Sequence, residues 1–227
     1  MTTAANMIVF DWNGTLLADA PLCVRATNKV LGLLDVPRIS LTQYRKHYTM
    51  PLDRLYHAIG CDPKMLAARE GEIHPLWHSI YDAAPPRLRP GAKSMLRAMK
   101  KAGHNSIVLS NYVTRKIEGQ AKRLGIRDHF STIIAFDAHN STFRRRAKGD
   151  RLKDYMRGKK FKSAIIIGDS EEEVEIGRAL NLATIAVLDG MCSAQRLKAM
   201  KPDFLIRDLS RIPSIVAKVF GQNGRAA

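Results

Sequence analysis

Cysteine, aromatic side chains, acidic residues and long apolar runs are all scarce in this 227-residue chain. Cys23, Cys61 and Cys192 are odd in number and scattered, which argues against a disulfide framework and against a zinc site. No apolar run approaches the roughly 18–20 residues of a membrane span. Met1 to Asn6 lack the basic start and cleavage site of a signal peptide. A cytoplasmic protein with no membrane partner is therefore expected. Acids are outnumbered by Lys and Arg, 21 against 37, leaving a formal net charge of +16. The densest basic stretch runs from Arg144 to Lys162 and carries Arg144-Arg145-Arg146, Lys148, Arg151, Lys153, Arg157, Lys159, Lys160 and Lys162. Such a field attracts anionic partners, nucleic acid included. It equally describes a solvated helix face, and the stretch lacks the repeated aromatic interleaving of a base-stacking platform. Nucleic acid is a possible partner that the charge alone does not favour.

What is present is ample material for a core, with 45% hydrophobic residues. Short β-branched or apolar runs that end in polar residues predict buried parallel strands at Met7 to Phe10, Ser106 to Leu109, Thr132 to Phe136, Ala164 to Ile167, Thr184 to Val187 and Phe204 to Ile206. Helical spacing lies between most of them. Gly91 to Ala102 puts Met95, Leu96 and Met99 on one face, and Thr114 to Leu124 does the same with Ile117, Ala121 and Leu124. Alternating strands and helices predict an α/β fold, a doubly wound Rossmann-like parallel sheet with ligands at the strands' carboxyl ends. From Ala18 to Leu88 the rhythm breaks into helical periodicity without a convincing strand, closing at Pro85-Pro86-Arg87-Leu88-Arg89-Pro90-Gly91. The expected organisation is a core of residues 1–17 and 89–227 with a small all-helical cap, residues 18–88, inserted after the first strand.

Four places carry chemistry. Ile8-Val9-Phe10-Asp11-Trp12-Asn13-Gly14-Thr15 delivers a carboxylate to the end of an apolar strand, followed by a Gly turn and a hydroxyl. This arrangement can hold Asp11 as a nucleophile, although Asn13-Gly14 between apolar runs is also a hairpin signal. Ile107-Val108-Leu109-Ser110-Asn111 ends a strand in a hydroxyl and an amide just before a helix, as an anion site or merely a helix cap. Lys148 lies near the start of a predicted helix containing Leu152 and Met156, with Lys153 as a rival and solvent as the ordinary fate of either. Finally, Ile165-Ile166-Ile167-Gly168-Asp169-Ser170-Glu171-Glu172-Glu173 brings Asp169 to a strand end and Glu173 close behind it. Those two could share a cation such as magnesium. Ser170 and Glu173 also satisfy a capping box, and acids at a helix start offset its dipole.

Taken in order, an Asp-x-x-Gly-Thr, a Ser-Asn, a Lys and a Gly-Asp with a following acid resemble the motifs of the haloacid dehalogenase (HAD)-like hydrolase superfamily. Arg89-Pro90-Gly91-Ala92 resembles the family's run into its second motif, and Leu188-Asp189-Gly190 with Pro202-Asp203-Phe204-Leu205-Ile206 resembles the tail of its phosphoglycolate-phosphatase-like branch. The resemblance implies a phosphatase acting on a small phosphorylated substrate. Asp11 would form an aspartyl-phosphate, and Mg²⁺ would be held by Asp11, the Asn13 carbonyl, Asp169 and, directly or through water, Glu173. Ser110, Asn111 and Lys148 would hold the phosphoryl group with backbone N–H groups near Gly14, while Thr15 would order the loop. The family's motif has a second Asp, an acid–base group, where this chain has Asn13. An amide cannot move that proton, so slow hydrolysis, restriction to good leaving groups, or binding without turnover is expected. His47, His57 and Asp53 are candidates for a substitute acid. The alternative is a phosphate- or nucleic-acid-binding protein with little turnover.

Overall fold

The computed structural model describes residues 6–137 and 148–222, so Arg144-Arg145-Arg146 lies outside the described residues. Six strands form one parallel sheet: β1 (Met7–Phe10), β2 (Asn105–Val113), β3 (Thr132–Phe136), β4 (Ala164–Gly168), β5 (Ala183–Val187) and β6 (Phe204–Ile206). Their spatial order is β3-β2-β1-β4-β5-β6. The chain builds outward from β1 to β3, then returns to the other side of β1 and builds outward again. The crevice at such a reversal is where open α/β sheets bind ligands. β1 reads as an unbroken apolar run because both its faces are covered. Ile8 and Phe10 join a large core with Met95, Leu96, Ile117 and Val216, whereas Met7 and Val9 face Leu152 and Ile176. The parallel pairing of β1 with both β2 and β4 rules out the hairpin reading of Asn13-Gly14.

Register brings the chemistry together. Phe10 lies beside Val108 on one side and Ile167 on the other. Asp11, Ser110 and Asp169 therefore emerge within a residue of one another in height, at the same sheet edge.

Between β1 and β2 come five helices: α1 (Ala20–Leu33), α2 (Leu41–His47), α3 (Leu52–Ala58), α4 (Pro63–Ala68) and α5 (Glu70–Ala83). Helix α1 packs along α5. Val30, Leu31, Leu34, Tyr56, Cys61, Leu66 and Ile73 form a small core of their own. The chain enters and leaves this segment through a paired neck. Leu17 bridges Leu88 antiparallel, and Ala18 and Arg89 donate to the Arg87 and Leu16 carbonyls, each at 2.9 Å. Then α6 (Ala92–Lys101), α7 (Thr114–Arg123), α8 (Lys148–Met156), α9 (Glu171–Ala179), α10 (Ala194–Ala199) and α11 (Ile212–Gln222) accompany the sheet.

One strand differs from its sequence expectation. β2 does not stop at Leu109 but runs to Val113, and α7 starts only at Thr114. Its pairing with β3 slips between Leu109 and Val113, so that Ser110, Asn111 and Tyr112 form an irregularity. Neither Ser110 nor Asn111 caps α7, whose preceding residue is Val113 with no side-chain cap. No described helix is long and apolar enough to cross a membrane.

Candidate active site

Asp11 is the first residue past β1. Its N–H still donates to the Ile167 carbonyl at 2.9 Å, which fixes the backbone while the side chain projects beyond the sheet. Lys148, the first residue of α8, donates to Asp11 Oδ1 at 2.6 Å and also to Glu173 Oε1. The Lys148 side chain is 3% exposed, so this is a buried ammonium with two carboxylate partners. Its rival Lys153 is exposed to solvent. Thr15 Oγ1 stands 2.7 Å from Asp169 Oδ1 and 3.1 Å from Asp11 Oδ2. A single hydroxyl proton cannot serve both. Asp169 is held from behind, its Oδ2 accepting the Met191 N–H at 2.5 Å.

Three buried carboxylates, Asp11, Asp169 and Glu173, thus cluster at the strand ends, with one lysine paired to two of them. Burial pushes the Asp11 carboxyl up to about 6, against the pull of Lys148. Burial raises Asp169 well above its ordinary value too, helped by the charges of Asp11 and Glu173. Burial also works to discharge Lys148, but Asp11, Glu173 and Glu172 outweigh it and keep the ammonium charged. The surplus of negative charge is what a divalent cation would neutralise. Among the described residues no three His, Cys, Asp or Glu side chains converge as a cage of protein ligands alone. Two carboxylates, with backbone and water completing the shell, is the ligand pattern that suits magnesium, and Asp11 and Asp169 fit it. Glu173 has its own duties: Oε2 accepts from Ser170 N and Oγ at 3.1 and 2.7 Å, and Oε1 accepts from Lys148. The capping box read from the sequence is formed.

Glycine makes this density possible. Gly14 has φ +74°, and a Cβ there would lie 2.1 Å from Asp169 Oδ2. At Gly190 a Cβ would lie 2.0 Å from the same oxygen. Neither backbone position beside Asp169 Oδ2 therefore has room for a side chain.

Asn13 lines the same cavity as Asp11, but its amide is engaged elsewhere. Its Nδ2 donates to Asp19 Oδ2 at 2.7 Å and to the Tyr81 hydroxyl at 2.6 Å. The Tyr81 hydroxyl donates to Asp19 Oδ2 at 2.5 Å, and the Gly14 N–H donates to Asp19 Oδ1 at 2.7 Å. Asp19 is 5% exposed, and burial raises its carboxyl above the ordinary value. The Gly14 amide is thus engaged by Asp19. Sequence reasoning missed Asp19, Tyr81, Gly190 and Met191. Asp19 precedes Ala20-Pro21 and has the signature of a helix cap, yet it makes no cap hydrogen bond to α1. Its carboxylate turns back to the loop instead.

A cavity of about 110 Å³ opens beside Asp11, lined by Ser110, Asn111, Lys148, Asp169 and Glu172 at its polar end. Ser110 Oγ accepts from the Tyr112 N–H at 3.1 Å, and Asn111 Nδ2 donates to Glu172 Oε2 at 2.6 Å. Arg151 donates to the Ser110 carbonyl at 3.0 Å and to Asn111 Oδ1 at 3.2 Å, so the irregular turn of β2 is tied to α8 and α9. The opposite wall comes from the helical segment, including Tyr44, Tyr48, Tyr56, Trp77 and His78. His47, His57 and Asp53 do not line it. The inner face of α5 does, placing His74 and His78 there instead. Helical spacing alone did not reveal that α5, paired with α1, turns this face to the strand ends.

Known proteins resemble this chain over nearly all its length. A phosphoglycolate phosphatase of Photobacterium profundum is 23% identical over 222 residues, covering 93% of this chain and 95% of its own. One from Chromobacterium violaceum is 26% identical over 214 residues, covering 85% and 89%. Among solved structures, a predicted phosphatase from Clostridium acetobutylicum superposes with a TM-score of 0.78 at 19% identity, covering 95% of this chain and all of that one. A mutant of CbbY from Rhodobacter sphaeroides, in complex with xylulose-1,5-bisphosphate, superposes with a TM-score of 0.67 at 20% identity, covering 91% and 95%. The profile of haloacid dehalogenase-like hydrolases matches residues 5–181, and the chain belongs to that family.

Proposed function

We propose that this protein is a Mg²⁺-dependent phosphatase that hydrolyses a small phosphorylated metabolite through an aspartyl-phosphate on Asp11. The observation that carries this reading is the buried set at the switch point of the sheet: Asp11 salt-bridged to Lys148, linked through Thr15 to Asp169, and opening on the cavity that holds Ser110. The phosphatase names of the relatives support a phosphoric monoester as substrate. Magnesium would be held by Asp11 and Asp169 with the Asn13 carbonyl, Glu173 completing the acidic surroundings, and would screen the charge of the phosphoryl group. Asp11 attacks phosphorus, and the oxygen of the leaving group departs with its electron pair. Lys148 gives up part of its hold on Asp11 to grip a phosphoryl oxygen, with Ser110 and the Asn111 N–H beside it. Water then attacks phosphorus and releases phosphate, restoring Asp11. Thr15 orders the loop, and the Gly14 amide contributes by anchoring that loop to Asp19. No acid stands at Asn13, so departure of a basic alkoxide is slow, by roughly 10²–10⁴ relative to a site with a general acid.

The helices from Ala20 to Ala83 act in this reading as a cap hinged at the Leu17–Leu88 neck, with residues 18–88 as the inserted unit and 1–17 with 89–227 as the core. A cytoplasmic location agrees with three free, buried thiols. The second reading, a phosphate- or nucleic-acid-binding protein with little turnover, draws on Asn13 and the +16 charge. The two separate in one assay. Purified protein with Mg²⁺ is expected to release phosphate from acetyl phosphate, and Asp11→Ala to abolish it. Release no faster than in the Asp11→Ala control would overturn the phosphatase reading.

A further inference from the structure

The chain has few aromatic residues, yet it concentrates them at the site. Of six tyrosines, Tyr44, Tyr48, Tyr56 and Tyr112 line the cavity beside Asp11, together with Trp77, one of the two tryptophans. They form connected walls. Trp77 stacks on Tyr81 at 4.8 Å and 16°, Tyr81 meets Tyr112 edge-on at 5.5 Å, and Tyr44 lies 5.6 Å from Tyr48. Cys23, Met50, Leu52, Ile73 and Met191 fill the gaps between rings. Among the described residues of the lining, Lys148 is the sole Lys or Arg, and it is already committed to Asp11 and Glu173. Among the described lining residues only His74 and His78 could face a second anionic group on the substrate, whereas the aromatic and aliphatic remainder of the wall suits an apolar ring. The whole cavity, polar end included, measures about 110 Å³, less than the roughly 150 Å³ that holds benzene, so a ring would enter with outward movement of the helical wall.

The second observation is chemical and independent. Asn13 cannot protonate a leaving oxygen, and its amide is turned into hydrogen bonds with Asp19 and Tyr81. In a loose phosphoryl-transfer transition state the leaving oxygen carries substantial negative charge. An alkoxide, whose conjugate acid is about as weak as water, needs a proton at that moment. A phenolate, with a conjugate acid near 10, needs it far less. The wall that would bind a ring and the residue that makes a ring-stabilised leaving group necessary stand at the same cavity.

We infer that the substrate class is an aryl phosphate monoester, a phosphate carried on the hydroxyl of an aromatic or heteroaromatic ring. This rests on the phosphatase reading above. Asp11 Oδ forms a bond to phosphorus as the bond from phosphorus to the phenolic oxygen breaks, and the electron pair leaves with the phenolate. The phenolate takes its proton from water. A water molecule then attacks the aspartyl-phosphate, its oxygen bonding to phosphorus as the acyl-phosphate bond breaks, and a proton passes to solvent.

The experiment measures kcat/KM in Mg²⁺ for phenyl phosphate, phosphoglycolate and glycerol phosphate, with acetyl phosphate as a small substrate that has a good leaving group and no ring. Phenyl phosphate is expected to exceed both alkyl phosphates by 100-fold or more. In Asn13→Asp the ratio of phenyl phosphate to glycerol phosphate is expected to fall at least tenfold. In Trp77→Ala the ratio of phenyl to acetyl phosphate is expected to fall at least tenfold. Asp11-dependent turnover of acetyl phosphate with alkyl phosphates equal to or better than phenyl phosphate would overturn the aryl assignment and leave the phosphatase reading standing. Failure of acetyl phosphate as well would overturn both.

Discussion

Asn13 sits between two hydrogen-bond networks, and its side chain belongs to the one without Asp11. Restoring a carboxylate by Asn13→Asp places it where Nδ2 now lies 2.7 Å from Asp19 Oδ2. Two carboxyl groups in contact cannot both ionise cheaply, so the pair holds a proton to an unusually high pH. That gives the variant a proton donor, and its turnover of alkyl phosphates should rise by about 10². It also gives a cost with a defined sign. A carboxyl whose folded pKa is raised stabilises less as pH climbs, because the unfolded chain ionises first. Urea melts of Asn13→Asp should match wild type at about pH 4 and fall behind it at about pH 8. An equal deficit at both pH values would show that the two side chains do not meet. Asp19→Ala should leave the Gly14 N–H and the Tyr81 hydroxyl without their acceptor, costing about 1–3 kcal/mol in the same melts. Gly190→Ala should displace the Asp169 carboxylate, since its Cβ would lie 2.0 Å from Oδ2. Phosphate release should be lost in that variant while its circular dichroism spectrum is kept.

At the scale of elements, what could be read in advance follows from which forces are local. β1 and β4 are visible in sequence because each is a short apolar run that must be covered on both faces and is followed closely by an Asp, whereas β3, expected to be buried, is an edge strand and half-buried throughout. Asp11, Lys148 and Asp169 follow from where those elements begin and end. The length of β2 is not visible. Ser110, Asn111 and Tyr112 continue the strand only because the pairing with β3 slips there, and that is a property of two strands together. The wall of the cavity is hidden for the same reason. Val24, Val30 and Leu31 on α1 declare an apolar face, but which residues of α5 turn toward Asp11 depends on how the two helices lie together. His74 and His78 reach the cavity, and His47 and His57 do not. The separate core of the helical segment makes a test of this packing. Leu31 is fully buried there, and Leu31→Ala should cost about 2–5 kcal/mol. If the segment is a cap with its own core, proteolysis of that variant should begin between residues 18 and 88 before the sheet is cut.

For the whole molecule, charge and site point in different directions. The exposed Lys153, Arg157, Lys159, Lys160 and Lys162 project into solvent on the stretch after α8 begins, while Lys148 of the same run is buried at Asp11. One basic residue is therefore buried in an ion pair with Asp11 and its neighbours set a long-range field. That field attracts any phosphate monoester, so kcat/KM should fall as ionic strength rises past the point where the screening length drops to about 8 Å. A nucleic-acid binder would instead show steep loss of oligonucleotide affinity with salt and no turnover. The central claim, that Asp11 is the nucleophile, is tested most directly by quenching the Mg²⁺-loaded protein in acid during turnover of radiolabelled acetyl phosphate. Wild type should carry base-labile phosphate on the protein, and Asp11→Asn should carry none. Turnover without label on the protein, or label that survives Asp11→Asn, would contradict the account.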